Sequence, residues 1–381
     1  MIDFSLSSEQ QAIVAKYRDF TDRWIIPNRM KYDELAEFPW EIIKASYDEG
    51  IINGPIPKEY GGNGYDQVGS ALQSEELGAG CIGIGICIDA NTLALTPLLI
   101  AGNDAQKKKF FGRIREEKGV AAYCLTEPNA GSDVQAISSY AAKKGDKYIL
   151  NGHKRFITNG EVASFHTVFA ITDPEKGSRS LTAFIVPMDL PGIEIVSRLD
   201  KMGQKASVQN EIKYHDVEVP VENALGEEGR GFLIAMKTFD RTRTGVAALS
   251  IGVARSAFEI SKDWAQKRIQ FGKPIAANQA IGFLLADMAT EIEAARTLTL
   301  YAAWAHDAGQ RNASKLAAMS KLYASDMAMK VTTDAVQVMG GEGYSREHPV
   351  EKMMRDAKLC QIYEGTNQVQ RIVISKSVLK E

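Results

Sequence analysis

Residues Tyr148–Thr158, YILNGHKRFIT, form a short run of β-type composition, and how this run and its neighbours are read decides the fold. Similar runs follow at close intervals: FHTVFAIT (Phe165–Thr172), SLTAFIVPM (Ser180–Met188), GIEIVSRL (Gly192–Leu199) and NEIKYHDVEV (Asn210–Val219), spaced by Gly, Pro and Asp turns. Short alternating runs bounded by turn residues predict a small β domain between about Val120 and Glu218.

On both sides of it the period is helical. Ser7 with Gln10 forms a capping-box start, Pro39 suits the beginning of a helix through WEIIKASYDEG, and Leu93–Ile100 runs into the stop signal Gly102-Asn103. The turn-rich PKEYGGNGYD (Pro57–Asp66) interrupts this region. From about Gly229 the helical period returns: Ile281, Leu284, Leu285, Met288, Ile292, Ala295 and Leu298 recur at three- and four-residue steps, as in a bundle. The expected fold class is α+β, with an N-terminal α-helical domain (1–119), a small middle β-barrel or sandwich domain (120–228) and a C-terminal four-helix bundle (229–381). Helices and strands in blocks argue against a doubly wound parallel sheet. Gly78, Gly80 and Gly83 in GAGCIG match the dinucleotide fingerprint letter for letter, but VGSALQSEEL before them is helical and no βαβ unit follows. They are read as a turn between helices.

The chain has 381 residues, 45% hydrophobic and 24% charged, which is enough for two or three packed units and a buried cofactor pocket. With 45 basic against 48 acidic residues and a net charge of −3, it carries no electrostatic footprint for nucleic acid or an anionic membrane. Cys81, Cys87, Cys124 and Cys360 lack Cys-x-x-Cys spacing and the five histidines are scattered, so no metal site is expected. Four such cysteines suit a reducing compartment. The start MIDFSLSSEQQAIV has no basic region before an apolar core, and no apolar run reaches the ~20 residues of a membrane span. The expected location is cytoplasmic, without membrane insertion.

Chemistry is concentrated near the C-terminus. QIYEGTNQVQR (Gln361–Arg371) sets Glu364 between an aromatic residue and a Gly-Thr turn, where flanking backbone can hold a carboxylate as a base. Upstream stand YCLTEPNAGSDV (Tyr123–Val134), FITNG (Phe156–Gly160), RIQFGKP (Arg268–Pro274) and QVMGGEGY (Gln337–Tyr344). In this order and over this length the chain resembles the acyl-CoA dehydrogenase family of flavoproteins from end to end.

That resemblance implies FAD as cofactor and Glu364 as the base removing an α-proton while a β-hydride leaves for flavin N5. Electrons would pass to electron-transfer flavoprotein. By the same resemblance Tyr123, Leu125, Thr126 and Ser132 line the flavin ring, Phe156 stands where relatives often have tryptophan, and Ile157 and Thr158 complete that strand. Arg268, Gln270, Phe271 and Gln279, with Gln337, Gly340 and Gly341, match the stretches that hold the flavin's diphosphate and adenine from a neighbouring subunit, and Thr366 and Gln368 fit further FAD contacts. A homotetramer is therefore implied. For the acyl-CoA substrate the matching positions are Ser132, Ser207, Asp240, Arg243, Tyr363 and Gly365, with Arg243 open to a structural ion-pair role. Some relatives carry the base on the helix containing DRTR (Asp240–Arg243), but the corresponding place here is Thr242, which cannot act as one.

LTEPNAGSDV, AGNDAQKKKF and VEKMMRDAK resemble short- and medium-chain members, and an alicyclic acyl group is also compatible. Asp89, in ICIDANTLALTP, falls where medium-chain relatives have a glutamate near the closed end of the acyl pocket. It either sets pocket depth or meets the far carbons of a ring, with a solvated helix aspartate as the other reading. Two further functions stay open at this stage: an acyl-CoA oxidase, although oxidases of this superfamily tend to be longer, and a flavin-bearing assembly protein without turnover.

Overall fold

In the computed structural model, which describes residues 5–380, the first helix α1 (Ser8–Phe20) begins with a complete capping box. Gln10 N–H donates to Ser7 Oγ at 3.2 Å and Ser7 N–H to Gln10 Oε1 at 3.0 Å. Then come α2 (Arg29–Leu35), α3 (Trp40–Asp48), which starts directly after Pro39, α4 (Gln67–Ala101) and α5 (Asp104–Glu116).

The GAGCIG segment corrects one expectation. It lies within α4, which is interrupted only at Cys81 (φ −171°, ψ 116°), so the expected turn is a single-residue kink. Its glycines permit close packing. A Cβ on Gly78 would sit 2.4 Å from the carbonyl oxygen of Leu249, and one on Gly252 would sit 2.1 Å from that of Glu75. The most apolar 18-residue window of α4 has mean hydropathy 1.7, enough by length and composition to cross a membrane. However, 67% of that window is buried inside the protein.

Eight strands form one sheet: β1 (Val120–Cys124), β2 (Tyr140–Lys144), β3 (Lys147–Thr158), β4 (Ala163–Ile171), β5 (Leu181–Pro187), β6 (Ile193–Arg198), β7 (Gln209–Pro220) and β8 (Ala224–Leu225). Their order is β6-β7-β3-β2-β4-β5-β8, with β1 added in parallel alongside β4. β4 and β5 are almost wholly buried, as befits strands covered on both faces, and the polar side chains they carry, Ser164, His166, Thr167 and Thr182, are buried with them.

The remaining helices are α6 (Gly231–Lys267), α7 (Gln279–Asp307), α8 (Ala313–Met339), the short α9 (Gly341–Tyr344), α10 (Val350–Cys360) and α11 (Asn367–Val378). A two-stranded hairpin, β9 (Ile269–Gln270) and β10 (Lys273–Pro274), links α6 to α7. The main core joins α1, α3, α4, α6, α7, α8 and α10. Buried carboxylates fix their relative placement: Glu76 of α4 pairs with Arg255 at 2.8 Å and Arg18 at 2.9 Å, and Glu75 with Arg255 and Arg296, both at 2.9 Å. Removing one partner would leave a buried charge uncompensated, which is strongly unfavourable.

Candidate active site

Between α10 and α11 the chain turns through two left-handed residues, Glu364 (φ 52°) and Gly365 (φ 89°). Glycine adopts this conformation freely, whereas a non-glycine residue pays about 1–3 kcal/mol and persists only when its surroundings enforce it. Here Gln370 Nε2 donates to the carbonyls of Glu364 (3.2 Å) and Gly365 (2.9 Å), while Lys321 Nζ of α8 donates to the Gly365 carbonyl (2.9 Å). Thr366 caps α11, its side chain accepting from Val369 N–H at 3.2 Å.

The turn aims the Glu364 carboxylate at α6, where Thr242 Oγ1 donates to Glu364 Oε2 at 2.6 Å. Both residues line a narrow cavity of about 50 Å³ between α4 and α6, together with Asp89, Thr92 and Val246. Burial raises the Glu364 pKa above the ordinary carboxylate value, opposed by the Thr242 hydrogen bond and by the charges of Arg243 and Lys321. Burial likewise pushes Asp89 up to about 7, against hydrogen bonds from Ser74 and Gln73 and reinforced by the nearby charge of Glu364. Asp89 is therefore a cavity residue, not a solvated helix aspartate. The arrangement supplies a strained, enclosed carboxylate able to accept a proton, at the end of a small pocket.

Tyr123 on β1 packs its ring against Phe169 and Phe239, with centroids 5.0 and 5.7 Å away, and its buried hydroxyl has no hydrogen-bond partner. Leu125 is buried, Thr126 half-buried and Ser132 exposed. Phe156, with φ 59°, leaves 56% of its surface exposed on the edge of β3. Thr158 Oγ1 accepts from Gln209 Nε2 at 3.2 Å. An orphaned phenol, an uncovered aromatic face and hydroxyls at the end of β3 and in the loop after β1 fit the demands of a bound flavin ring. The Ile157 side chain is buried in the sheet's core, so its backbone is the part available to a cofactor. Below this face Glu127 receives Lys154 Nζ at 2.8 Å and both N–H and Oγ of Ser138, bracing the loop.

Other expected contacts lie elsewhere. Arg268, Gln270, Phe271 and Gln279 are exposed on and after the β9–β10 hairpin, and Gln337, Gly340 and Gly341 are exposed at the end of α8. None lines the Glu364 cavity of its own chain. A Cβ on Gly340 or Gly341 would meet nothing within 4 Å, leaving backbone open to a ligand. Thr366 and Gln368 border a second, open groove with Lys358 and Arg371.

Of the expected acyl-CoA contacts, Tyr363 and Gly365 flank Glu364. Ser207 is buried away from the cavity wall, its carbonyl accepting from Lys201. Asp240 and Arg243 form an internal ion pair at 2.6 Å with Arg243 only 5% exposed, the structural role left open for that arginine, while its buried Nε has no hydrogen-bond partner. Two residues acquire roles that sequence reading missed. Thr242 is the carboxylate's hydrogen-bond donor, and Lys321, charged yet set among the alanines and serines of α8, supports the turn. For Lys321 the available signal was a lysine on the apolar stripe of a helix; for Thr242 it was the match to the position where some relatives carry the base.

Comparison with known proteins agrees with this layout. Models of the N-terminal, middle and C-terminal domains of acyl-CoA dehydrogenase match residues 7–118, 122–217 and 229–379. The cyclohex-1-ene-1-carbonyl-CoA dehydrogenase of Geobacter metallireducens is 42% identical over 98% of this chain and 99% of its own. The butyryl-CoA dehydrogenase structure from Megasphaera elsdenii superposes with a TM-score of 0.96 at 42% identity, covering 99% of this chain and 100% of that one. A chain from a structural study of the electron transferring flavoprotein of Acidaminococcus fermentans superposes with a TM-score of 0.97 at 44% identity, covering 100% of both chains.

Proposed function

The chain belongs to the acyl-CoA dehydrogenase family, and on that premise we propose that Glu364 is the base with which it removes the α-proton of an acyl-CoA thioester. The protein is an FAD-dependent oxidoreductase acting on the CH–CH bond next to the thioester, forming the 2-enoyl-CoA and passing electrons to electron-transfer flavoprotein. FAD, when bound, supplies the acceptor for the β-hydride. The observation that carries the reading is the strained Glu364, enclosed at the cavity and hydrogen-bonded by Thr242 at 2.6 Å.

The protein's own groups prepare the proton transfer. Burial raises the basicity of Glu364, while the Thr242 hydroxyl and the charges of Arg243 and Lys321 keep its ionised form accessible. The Thr242 hydrogen bond also fixes which carboxylate oxygen faces α6. Tyr123, Thr126, Ser132, Phe156 and Thr158, with the backbone of Ile157, would hold the flavin. Gln368 and Thr366 would extend that site. We further propose three units spanning 1–119, 120–228 and 229–381, a homotetramer whose neighbouring subunit contributes the Arg268–Gln279 and Gln337–Gly341 contacts, and a cytoplasmic location, which suits four buried free thiols.

For the acyl group, the narrow cavity favours a short chain or a small ring over a long chain. Asp89 on its wall sets the depth or meets the far carbons of a ring. Anaerobic flavin bleaching against straight-chain, branched, alicyclic and dicarboxylic acyl-CoAs identifies the substrate, and a peroxide assay in air separates a dehydrogenase from an oxidase. Glu364→Gln should retain yellow flavin and CoA binding while turnover falls by at least about 10³-fold, within the range ascribed to a positioned general base. Full turnover in that variant would refute the assignment.

A further inference from the structure

We propose that Lys321, on α8 and outside the cavity wall, is the positioning residue of the base: it clamps the left-handed Glu364–Gly365 turn and supplies a cation against which Glu364 ionises. This rests on the reading of Glu364 as the base. Lys321 is fully buried at 0% exposure, and its Nζ donates to the Gly365 carbonyl and to Asn367 Oδ1, each at 2.9 Å. A buried ammonium is costly to desolvate, and these acceptors lie on the two sides of Thr366, so the lysine spans the end of the turn.

Asn367 is itself held. Its Nδ2 donates to Ser325 Oγ at 2.9 Å and to Asp326 Oδ1 at 2.7 Å, and Ser325 Oγ also donates to its Oδ1 at 3.1 Å. Lys321, Ser325 and Asp326 stand at i, i+4 and i+5 on α8, so consecutive turns of one helix grip the segment that carries the base. From α11, Gln370 donates to the same Gly365 carbonyl and to that of Glu364. The left-handed backbone of Glu364, unfavourable for its residue type, is thereby enforced from outside the pocket.

The charge has a separate effect. The groups facing Lys321 are Cys360 at the end of α10, Glu364 in the turn, Asp326 on its own helix and Arg243 on α6. Burial lowers the Lys321 pKa to about 8, so it is mainly protonated at neutral pH and favours the carboxylate form of Glu364. Removing the cation therefore raises the pKa of the base, and the acid limb of the pH profile must move to higher pH. Loss of the clamp alone would leave that limb in place.

The experiment compares Lys321→Met, Lys321→Arg and Asn367→Ala in the FAD-bound enzyme, reading kcat, KM, the kcat pH profile and hydrogen exchange of the 361–370 amides by mass spectrometry. For Lys321→Met, kcat should fall roughly 10- to 100-fold, the scale expected for a misplaced catalytic group, with KM little changed and the acid limb displaced upward. Exchange should quicken in 361–370 while the body of α8 stays protected. Lys321→Arg should return the limb toward the parent position. Asn367→Ala keeps the cation, so its exchange should quicken and its kcat fall without a shifted limb; it carries the clamp test if Lys321→Met loses flavin. Parent-like kcat, pH profile and exchange in Lys321→Met, or unchanged kcat and exchange in Asn367→Ala, overturn the proposal. An active Glu364→Gln would instead overturn the assignment of the base, so the two failures are distinguishable.

Discussion

Asp89 shares the cavity wall with Glu364, and its burial has a consequence for ligand binding. With a pKa raised to about 7, it is chiefly protonated below that pH and ionised above it. An ionised carboxylate against an apolar acyl group costs binding free energy, so affinity for butyryl-CoA should weaken as pH rises through about 7. Asp89→Asn should remove that dependence and alter chain-length preference; an unchanged pH dependence of the dissociation constant, measured by flavin spectral perturbation, would exclude the role. The sequence offered both a cavity and a solvated reading because a helical aspartate carries no mark of its burial. Glu364 was legible, since a Gly-Thr turn in QIYEGTNQVQR brings its own backbone geometry. The position of Thr242 was marked by the resemblance, but its role as hydrogen-bond donor, like the role of Lys321, was not legible, because each depends on a contact 122 or 44 positions away in the chain.

At the scale of elements, the cavity exists because α4 and α6 can approach closely. Gly78 meets the Leu249 backbone and Gly252 the Glu75 backbone, where added Cβ atoms would lie 2.4 and 2.1 Å from carbonyl oxygens. Backbone atoms cannot move aside as a flexible side chain does, so Gly252→Ala must push the helices apart. The expected loss is about 1–3 kcal/mol in denaturant unfolding, the usual scale for overpacking, together with weakened acyl-CoA binding. Parent-like stability would show that the two helices have slack. Close packing also explains the misleading GAGCIG pattern: Gly78 meets the Leu249 backbone, Gly80 the Thr21 and Ile25 side chains and Gly83 the Gln204 backbone, and glycines placed for packing match the spelling of a phosphate loop. Strands β3 to β7 were readable from their alternation and turn residues. β1, β2 and β8 were not singled out. β1 is merged with the YCLTEP loop, β2 is short and largely exposed, and β8 has only two residues, so none carries a periodic signal long enough to stand out.

For the whole molecule, the order of helical, β and helical regions followed from periodicity, but the surface they leave uncovered did not. The periodic row on α7 was expected to face a core, yet only Met288, Ile292 and Ala295 of those residues are buried, and Phe283 beside them is 61% exposed. Phe271, at the tip of the β9–β10 hairpin, is 97% exposed with φ 53°. Large aromatic side chains left in water are unfavourable unless another surface covers them. The flanking Arg268, Gln270 and Gln279 do not reach their own chain's cavity, so an adjacent subunit is the natural place for both apolar and cofactor contacts. If that proposed arrangement holds, Phe271→Asp combined with Phe283→Asp should lower the mass seen by light scattering below that of a tetramer. The same change should reduce the FAD retained through purification, because the phosphate and adenine contacts are supplied across the interface. Helical content by circular dichroism should stay at the parent level, since neither side chain belongs to a core. A tetramer with full FAD would mean that the interface lies elsewhere, and a dissociated species with full FAD would mean that one chain holds its cofactor alone.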